Sequence, residues 1–422
     1  MVVRHVAGTA ERAGFGDVFE VGEFRALWLA YLASVVGDQL ALVAVTVLVY
    51  NRTHSALVTA LAYAAGFLPW AVGGITLSRL ADAYPRRTVM VACDLVRVFI
   101  VAGMALPGTP MWALIALLAL VTLFNSPFRA ARSAMLPDIL TGERYVMGNA
   151  TMQLTNRLGR TAGFAVGGVV VAALGARPSL VVDAATFAVS ALLVQTGVRL
   201  RPVPDRDAPA QPGEASTGKE PSVVRRVFGD RRLRAILLLG WLVPFYTVAE
   251  GVAAPYAHQF HGGAVATGFV LAAGPAGAVV GTSVFSRFVP PAQRLRWMGP
   301  LAVCACAILA LCLLAPPLAV SLVIFAASLA CSAYQLAANA AFVAAVPPSW
   351  RGQAFGLANG GINVTMGVWY IAAGAAASVI APTVVVAVSG LIGVAVGLPL
   401  AVSWSRLRLT DAAAIVTAGR AS

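Results

Sequence analysis

Twelve apolar segments, each about 20 residues long, the length of one membrane crossing, run through almost all of this 422-residue chain. Hydrophobic residues make up 59% of the sequence and charged residues only 11%. A soluble chain cannot bury that much apolar surface, whereas a lipid bilayer accommodates it. The pattern predicts an all-α integral membrane protein with twelve transmembrane helices. The predicted segments are 26–49, 57–80, 88–106, 111–134, 147–174, 179–198, 235–257, 266–288, 297–315, 318–346, 352–379 and 383–404.

The segments divide into two groups of six. The stretch between them is rich in Pro, Ser, Gly and charged residues, and such a composition cannot bury a core, so it is predicted to be a flexible linker. A shift of 208 residues aligns Gly66 and Ser78 with Gly274 and Ser286. Equal helix counts and this weak repeat predict two pseudo-symmetric bundles. The predicted units are an N-tail (1–24), an N-terminal bundle (25–198), the linker (199–234), a C-terminal bundle (235–404) and a C-tail (405–422).

The net charge of +13 would suggest nucleic acid in a soluble protein. Here most of the basic residues lie in the predicted tails, loops and linker outside the apolar segments. If the N-terminus is cytosolic, 25 of the 30 basic residues fall on the cytosolic side and two on the other. This asymmetry is the positive-inside pattern, so we expect both termini in the cytosol, lipid as the surrounding partner and no nucleic acid.

The sequence gives no pattern for a cofactor or for enzyme chemistry. The five cysteines lie in apolar stretches and are odd in number, which favours neither a disulfide framework nor a zinc site. His258 and His261 lie three residues apart in a Gly-rich loop, where solvation is favoured over metal binding. Phosphate-binding loops and nucleophile elbows do not occur. We expect no metal, no cofactor and no enzymatic activity.

The loop after the second segment carries Asp82 followed by the basic pair Arg86 and Arg87. It resembles the second-to-third loop of the major facilitator superfamily, with Ser78 and Pro85 at positions where that family commonly has Gly. The resemblance implies the major facilitator fold and a cytosolic gate in which an acid and a guanidinium pair lock the two halves. The alternative is an ordinary loop whose charges only follow the orientation rule.

The fifth segment carries a ridge of spaced glycines that is similar to the signature of the superfamily's antiporters. Phe164 stands where that signature has Pro. Glycine at every fourth position lets a neighbouring helix approach closely, and such ridges also occur as generic packing devices. The ridge comprises Gly159, Gly163, Gly167 and Gly168, and a second ridge in the eleventh segment comprises Gly352, Gly356 and Gly360.

Four further stretches, at 24–28, 126–138, 142–150 and 183–187, resemble the group of the superfamily that contains enterobactin exporters and macrolide-efflux proteins. This resemblance implies a drug:proton antiporter, acting as a single chain in a prokaryotic cell membrane. Its substrates would be amphipathic small molecules such as antibiotics or siderophores, as in multidrug resistance. A proton-coupled importer of a small solute and a transport-inactive scaffold or sensor are the alternatives.

Two acids lie deep in the segments that begin the two halves, Asp38 in the first and Glu250 in the seventh. A charged group at the bilayer centre costs about 2.5 to 3.5 kcal/mol, so each needs a function or a partner there. A low-dielectric site favours the neutral form of a carboxyl group, which can then exchange its proton for a substrate. We expect Asp38 and Glu250 to couple protons. The alternatives are a structural Asp38 paired with an Arg and a Glu250 that only lines the cavity.

Other charged residues inside the segments are expected to pair. Asp94 and Arg97 lie on one helix face and can form an ion pair, static or acting as a relay. Arg157 and Arg160 belong to a polar stripe that should face protein or water and either bind anionic substrate or balance Asp38 or Asp94. Asp183, near the outer end of the sixth segment, is expected to reach interfacial water.

Polar and aromatic residues in segments seven, ten and eleven are candidates for a substrate cavity, although core packing explains the aromatics equally well. Rocker-switch movement of the two bundles would expose such a cavity to each side in turn. The candidates are Trp241, Tyr246, Tyr334, Gln335, Asn339, Asn363 and Trp369.

Overall fold

The computed structural model describes residues 15–69, 73, 77, 83–202, 222–347 and 350–421, and these residues form helices and no strands. Ten of the described helices are long and apolar enough to cross a membrane. Within lipid a helix satisfies its backbone hydrogen bonds internally, which explains why apolar runs of this length become helices. The membrane helices are α1 (Gly22–Thr53), α2 (described over Ala56–Ala65), α3 (Arg86–Ala105), α4 (Met111–Ile139), α5 (Gly142–Leu174), α6 (Ala176–Gly197), α7 (Arg231–Gly251), α8 (Ala264–Phe288), α9 (Pro291–Leu314), α10 (Leu318–Ala345), α11 (Arg351–Ala377) and α12 (Pro382–Ala421).

These helices are consistent with the twelve predicted segments and confirm the all-α membrane fold. The boundaries differ at several ends: α5 begins at Gly142, before the predicted start at 147, and α12 continues past 404. Three short helices lie outside the membrane set, at Phe15–Phe19, Val223–Gly229 and Ala253–Gln259.

Side-chain caps start two of the membrane helices. The Ser55 hydroxyl accepts a hydrogen bond from the backbone N–H of Val58, 3.3 Å away, at the start of α2. The Asp230 carboxylate accepts from the N–H of Arg232 at 2.7 Å and of Leu233 at 3.1 Å at the start of α7. Both caps satisfy backbone donors that a first helical turn leaves without an intrahelical partner.

The helices pack as two bundles. In the N-terminal half, α1 packs against α5 and α6, and α3 packs against α4 and α6. In the C-terminal half, α8 packs against α10, and α9 packs against α12. The bundles meet mainly along two helix pairs, α5 with α8 and α2 with α11. Two seams therefore join the two bundles.

Ion pairs gather at the face of the molecule that contains the start of α1, which we call the terminal face. There Arg201 pairs with Glu23 at 2.8 Å, and Arg86 pairs with Asp138. Arg144 lies on the same face. The arginine distribution predicts this face to be cytosolic.

The other end, which we call the opposite face, holds the bundles together. The ring of Tyr50 in α1 contacts the ring of His258 with centroids 5.3 Å apart. Gly168 in α5 lies against the backbone of Gly268 in α8, where a Cβ atom would have no room. Glycine at such a seam lets two helix backbones approach closely. The bundles are therefore tightly packed at the opposite face.

The two predicted glycine ridges differ in what they contact. In α5, Gly159, Gly163 and Gly167 lie against Val35, Gln39 and Leu40 of α1, and Gly168 lies against α8, so this ridge packs on both neighbours. At the second ridge, no atom of another described element lies within 4 Å of a Cβ built at Gly352, Gly356 or Gly360. The packing of the ridge in α11 stays a prediction, since residues 70–72, 74–76 and 78–82 lie outside the described part of the chain.

Candidate functional site

Two cavities lie between the bundles. One of about 310 Å³ is lined by α1, α4 and α5 and by Gly66, Phe67 and Asn363. The other, of about 290 Å³, is lined by α5, α7, α8, α10 and α11. Asn156 and Arg160 of α5 line both cavities. The two spaces therefore meet at Arg160 and form one polar region between the halves.

Asp38 lines the first cavity from α1 and is partly exposed to it. The amide nitrogen of Asn125 in α4 donates a hydrogen bond to its Oδ2 atom at 3.2 Å. Arg129, also in α4, lines the same cavity. No described basic side chain lies within ion-pair distance of Asp38. The carboxyl group is therefore held by an amide and remains accessible from the cavity.

Glu250 lines the second cavity from α7, although only 6% of its surface is exposed. The hydroxyl of Tyr63 in α2 donates to its Oε2 atom at 3.0 Å. The hydroxyl of Tyr370 in α11 lies 3.4 Å from the same oxygen and 3.0 Å from Oγ1 of Thr247. Tyr63 belongs to the N-terminal bundle and Glu250 to the C-terminal one. The carboxyl group therefore joins the two halves at the seam between α2 and α11.

Local breaks in α7 set the position of Glu250. Pro244 has no N–H group and cannot bond to the carbonyl of Gly240, so the helix is interrupted there. The amide nitrogen of Gln335 in α10 donates to that carbonyl at 3.2 Å. The hydroxyl of Tyr334 donates to the neighbouring carbonyl of Leu239 at 2.8 Å. Side chains of α10 thus donate to two carbonyls beside the break.

Gly251 lets Tyr370 reach Glu250. A Cβ atom at position 251 would lie 2.8 Å from Cγ of the Tyr370 ring, closer than real contacts allow. The glycine is therefore required by a close side-chain approach rather than by its backbone conformation.

Arg157 and Arg160 lie one turn apart on α5 and both line the second cavity. The Arg157 Nη1 atom donates to the hydroxyl of Thr282 in α8 at 3.3 Å, a hydrogen bond between the bundles. Arg160 stacks above the ring of Phe164 at 5.9 Å. Neither forms an ion pair with a described acid. Both guanidinium groups are thus available to a ligand in the cavity.

Asp94 and Arg97 form an ion pair inside the N-terminal bundle, with 3.4 Å between Arg97 Nη1 and Asp94 Oδ1. Both side chains are fully buried. The Ser190 hydroxyl of α6 donates to the other Asp94 oxygen at 2.6 Å. The pair therefore lies in the packed core behind the cavity.

Asp183 does not reach interfacial water, and the expectation from its place in the sixth segment is wrong. Its side chain is fully buried between α6 and α1, next to Gly37. The packing of α6 against α1 and α3 turns this residue inward, although its sequence position lies near a helix end.

The predicted gate is described only in part, because Asp82 lies outside the described residues. Arg86 donates to the Asp138 carboxylate and to the carbonyl of Ala134, both in α4. Arg87 donates to the carbonyl of Gln195 in α6. Among the described residues, the contacts of the arginine pair are therefore with the N-terminal bundle.

The structure separates the predicted cavity residues into three groups. Tyr246, Gln335 and Asn363 line the two large cavities. Trp241 and Asn339 line a small space of about 30 Å³ near α11. Tyr334 is fully buried against α7, and Trp369 packs on Phe245 with ring centroids 4.6 Å apart and donates to Ser389. Tyr334 and Trp369 therefore belong to the core and are removed from the cavity set.

Several polar residues at the site were missed by sequence reasoning. Tyr63 and Tyr370 hold Glu250, while Asn125, Arg129 and Asn156 line the first cavity. A polar side chain inside an apolar segment is the signal that marks each of them.

The described residues contain no group of three or more His, Cys, Asp or Glu side chains placed to hold a metal. All five cysteines are free thiols.

Comparison with known families identifies the class of the protein. The profile of the Major Facilitator Superfamily matches residues 27–332. The chain belongs to this superfamily and is a multi-pass membrane transporter rather than an enzyme.

Among curated proteins, the chain is 29% identical over 266 residues to the enterobactin exporter of Citrobacter koseri. It is 28% identical over 266 residues to the enterobactin exporter of Escherichia coli O1:K1. Each match covers 61% of this chain and 62% of the relative. The similarity thus spans less than two thirds of either protein.

Solved structures share the fold. A peptide transporter POT in complex with sulfate superposes with a TM-score of 0.71 at 14% identity, covering 94% of this chain and 96% of that one. A bacterial homolog of the human lysosomal transporter Spinster, in an inward-facing and occupied conformation, gives 0.70 at 15% identity, with coverages of 92% and 97%.

Proposed function

We propose that this protein exports amphipathic small molecules across a prokaryotic cell membrane in exchange for protons. The observation that carries the proposal is the pair of cavity carboxyl groups, Asp38 in one bundle and Glu250 in the other, with the Arg160 side chain where their cavities meet. An acid in a membrane interior costs free energy and needs a function there, and binding an exchangeable proton is a function that fits both carboxyl groups.

Alternating access is the proposed movement. The bundles pack closely at the opposite face. At the terminal-face end of α11, no atom of another described element lies within 4 Å of a Cβ built at Gly352, Gly356 or Gly360. With the terminal face in the cytosol, this arrangement receives substrate from inside the cell. Rocking about the two seams would close the cytosolic side and open the other.

Protonation of Glu250 would couple the proton gradient to the rocking of the two bundles. As a carboxylate it accepts a charge-assisted hydrogen bond from Tyr63 across the bundle interface. A proton arriving from outside would neutralise the acceptor and weaken that bond. Substrate entering from the cytosol would then favour release of the proton to the inside.

The cavity charges indicate the class of substrate. Three arginines, Arg129, Arg157 and Arg160, line the cavities, against Asp38 and Glu250. Apolar and aromatic walls, including Phe67 and Tyr246, complete the lining. This combination favours amphipathic compounds with an acidic or hydrogen-bonding group, and the curated relatives are named as exporters of enterobactin.

Transport in inverted membrane vesicles tests the proposal. A panel containing enterobactin, a macrolide and tetraphenylphosphonium is supplied outside the vesicles with and without a proton gradient. We expect gradient-driven accumulation of at least one acidic amphiphile, abolished by a protonophore and lost in Asp38→Asn or Glu250→Gln. Undiminished gradient-driven flux in both variants would reject these carboxyl groups, and flux of the opposite sign would identify an importer.

A further inference from the structure

The interior of the N-terminal bundle contains more acid than base. Asp94, Asp183 and Arg97 are fully buried there, and Asp38 lies beside them at the cavity wall. Among the fully buried side chains that the structure describes in this bundle, two carboxyl groups face one guanidinium group. An ionised group that is buried without a partner of opposite charge is costly. A buried acid that lies away from the guanidinium group must therefore be neutral.

Arg97 is already engaged by Asp94. Its Nη1 atom contacts Asp94 Oδ1 at 3.4 Å and donates to the hydroxyl of Ser34 at 3.3 Å. Its guanidinium carbon lies 5.2 Å from the ring centroid of Phe128 and 5.0 Å from that of Phe187. These aromatic neighbours restrict its movement. Arg97 therefore balances Asp94 and leaves Asp183 without a contacting cation.

Asp183 has few partners for an ionised group. The hydroxyl of Thr186 lies 3.3 Å from Asp183 Oδ1 but donates to the Asp183 backbone carbonyl at 2.8 Å. The Oδ2 atom is buried and has no hydrogen-bond partner among the described residues. A carboxylate left in this way would become neutral, and the ligand that neutralises it is a proton.

Asp183 packs against α1 next to a residue that lines the cavity. Its carboxyl group lies against Gly37, in space that any side chain at position 37 would fill. The next residue, Asp38, reaches the cavity. Three helices packed around Asp183 carry titratable or charged groups near it. Helix α1 carries Asp38, and α3 carries Cys93, Asp94 and Arg97. Helix α5 carries Arg157 and Arg160, and these two arginines face the cavities.

We propose that Asp183 is a further proton-binding site, loaded from the cavity through Asp38. In the loading step the O–H bond on Asp38 breaks and an O–H bond forms on Asp183. The negative charge moves to Asp38, where Asn125 donates a hydrogen bond and Arg129 lies in the same cavity. The use of this proton in transport rests on the proposed function, but its presence on Asp183 does not.

Infrared spectroscopy of the purified full-length protein in lipid bilayers tests the site without any transported compound. A protonated buried carboxyl group gives a C=O stretching band that ionised surface acids do not give at neutral pH. We expect this band to lose intensity in Asp183→Asn and to be unchanged in the matched control Glu20→Gln, whose side chain is 71% exposed. Equal intensity in Asp183→Asn and the wild type would overturn the proposal.

Two further variants complete the test. If Asp183→Asn does not fold, Asp183→Glu takes its place because it retains an acid. The C=O band of this variant should move in frequency, and a band at the wild-type frequency would overturn the proposed proton site. In heavy water, Asp38→Asn should slow deuterium exchange of the band several-fold, and an unchanged rate overturns the loading route. A retained band together with absent proton-driven flux would reject the proposed function and leave the proton site in place.

Discussion

The hydroxyl of Tyr63 lies 3.0 Å from the Glu250 carboxyl group, and this hydrogen bond joins residues of different bundles that are 187 positions apart in the sequence. It lies on the seam between α2 and α11, close to the end where the bundles are tightly packed. A bond in this place contributes to the balance between the two states of a rocking transporter. Its strength depends on whether the acceptor is charged, which connects a proton on Glu250 to the opening of the opposite face.

Tyr63→Phe should shift the protein towards the state that is open at the opposite face. A buried hydrogen bond to a charged group contributes about 1.5 to 3 kcal/mol, so its loss should raise the open population by about tenfold or more. Spin labels at Asn51 and His261, both exposed on the opposite face, would report the change as a longer distance component. Tyr145→Phe, on the terminal face, is the matched control. An unchanged distance distribution in Tyr63→Phe would contradict the role of this bond.

Gly251→Ala should destabilise the protein because its new methyl group would overlap the Tyr370 ring. Inserting a methyl group into a packed site costs about 1 to 3 kcal/mol. Thermal unfolding in detergent would measure the loss, and Gly263→Ala, where a Cβ meets nothing within 4 Å, is the control. The double variant with Tyr370→Ala should lose less than the sum of the single changes, since the overlap is then relieved. Additive losses would show that the overlap is not the cause.

Arg97→Gln should be among the most damaging single changes in the N-terminal bundle. It leaves Asp94 in the core without a cation, and breaking a buried ion pair in this way costs about 3 to 5 kcal/mol. The double variant Asp94→Asn/Arg97→Gln removes both charges and should recover much of the loss. Thermal unfolding of both proteins measures the losses of stability. A double variant no more stable than Arg97→Gln would show that the broken ion pair does not cause the loss.

Hydropathy predicts the helices well because the bilayer imposes a length and an apolar composition on each of them. It does not reveal which face of a helix turns inward when the whole helix is apolar. The burial of Asp183 illustrates this limit, since α6 carries apolar residues on all sides and its orientation is set by α1 and α3. The same limit applies to Tyr334, which the sequence pattern predicts as a cavity residue although it packs against α7.

Long-range partners could not be predicted from one sequence. No local pattern connects Tyr63 with Glu250, because the contact depends on how the two bundles meet. Acids and arginines inside apolar segments were recognisable, since each is costly there.

Arg160→Gln should weaken the binding of acidic amphiphiles more than that of neutral or cationic ones. The Arg160 side chain borders both cavities, and no described acid forms an ion pair with it, so its charge is available to a ligand. Loss of one charge-assisted hydrogen bond, about 1.5 to 3 kcal/mol, corresponds to an increase in Kd of about tenfold or more. Tryptophan fluorescence titration with enterobactin and with tetraphenylphosphonium would separate the two classes. Arg144→Gln, at an exposed ion pair on the terminal face, is the control. An equal loss for both ligands would indicate a structural role for Arg160, and no loss for either would place the binding site elsewhere.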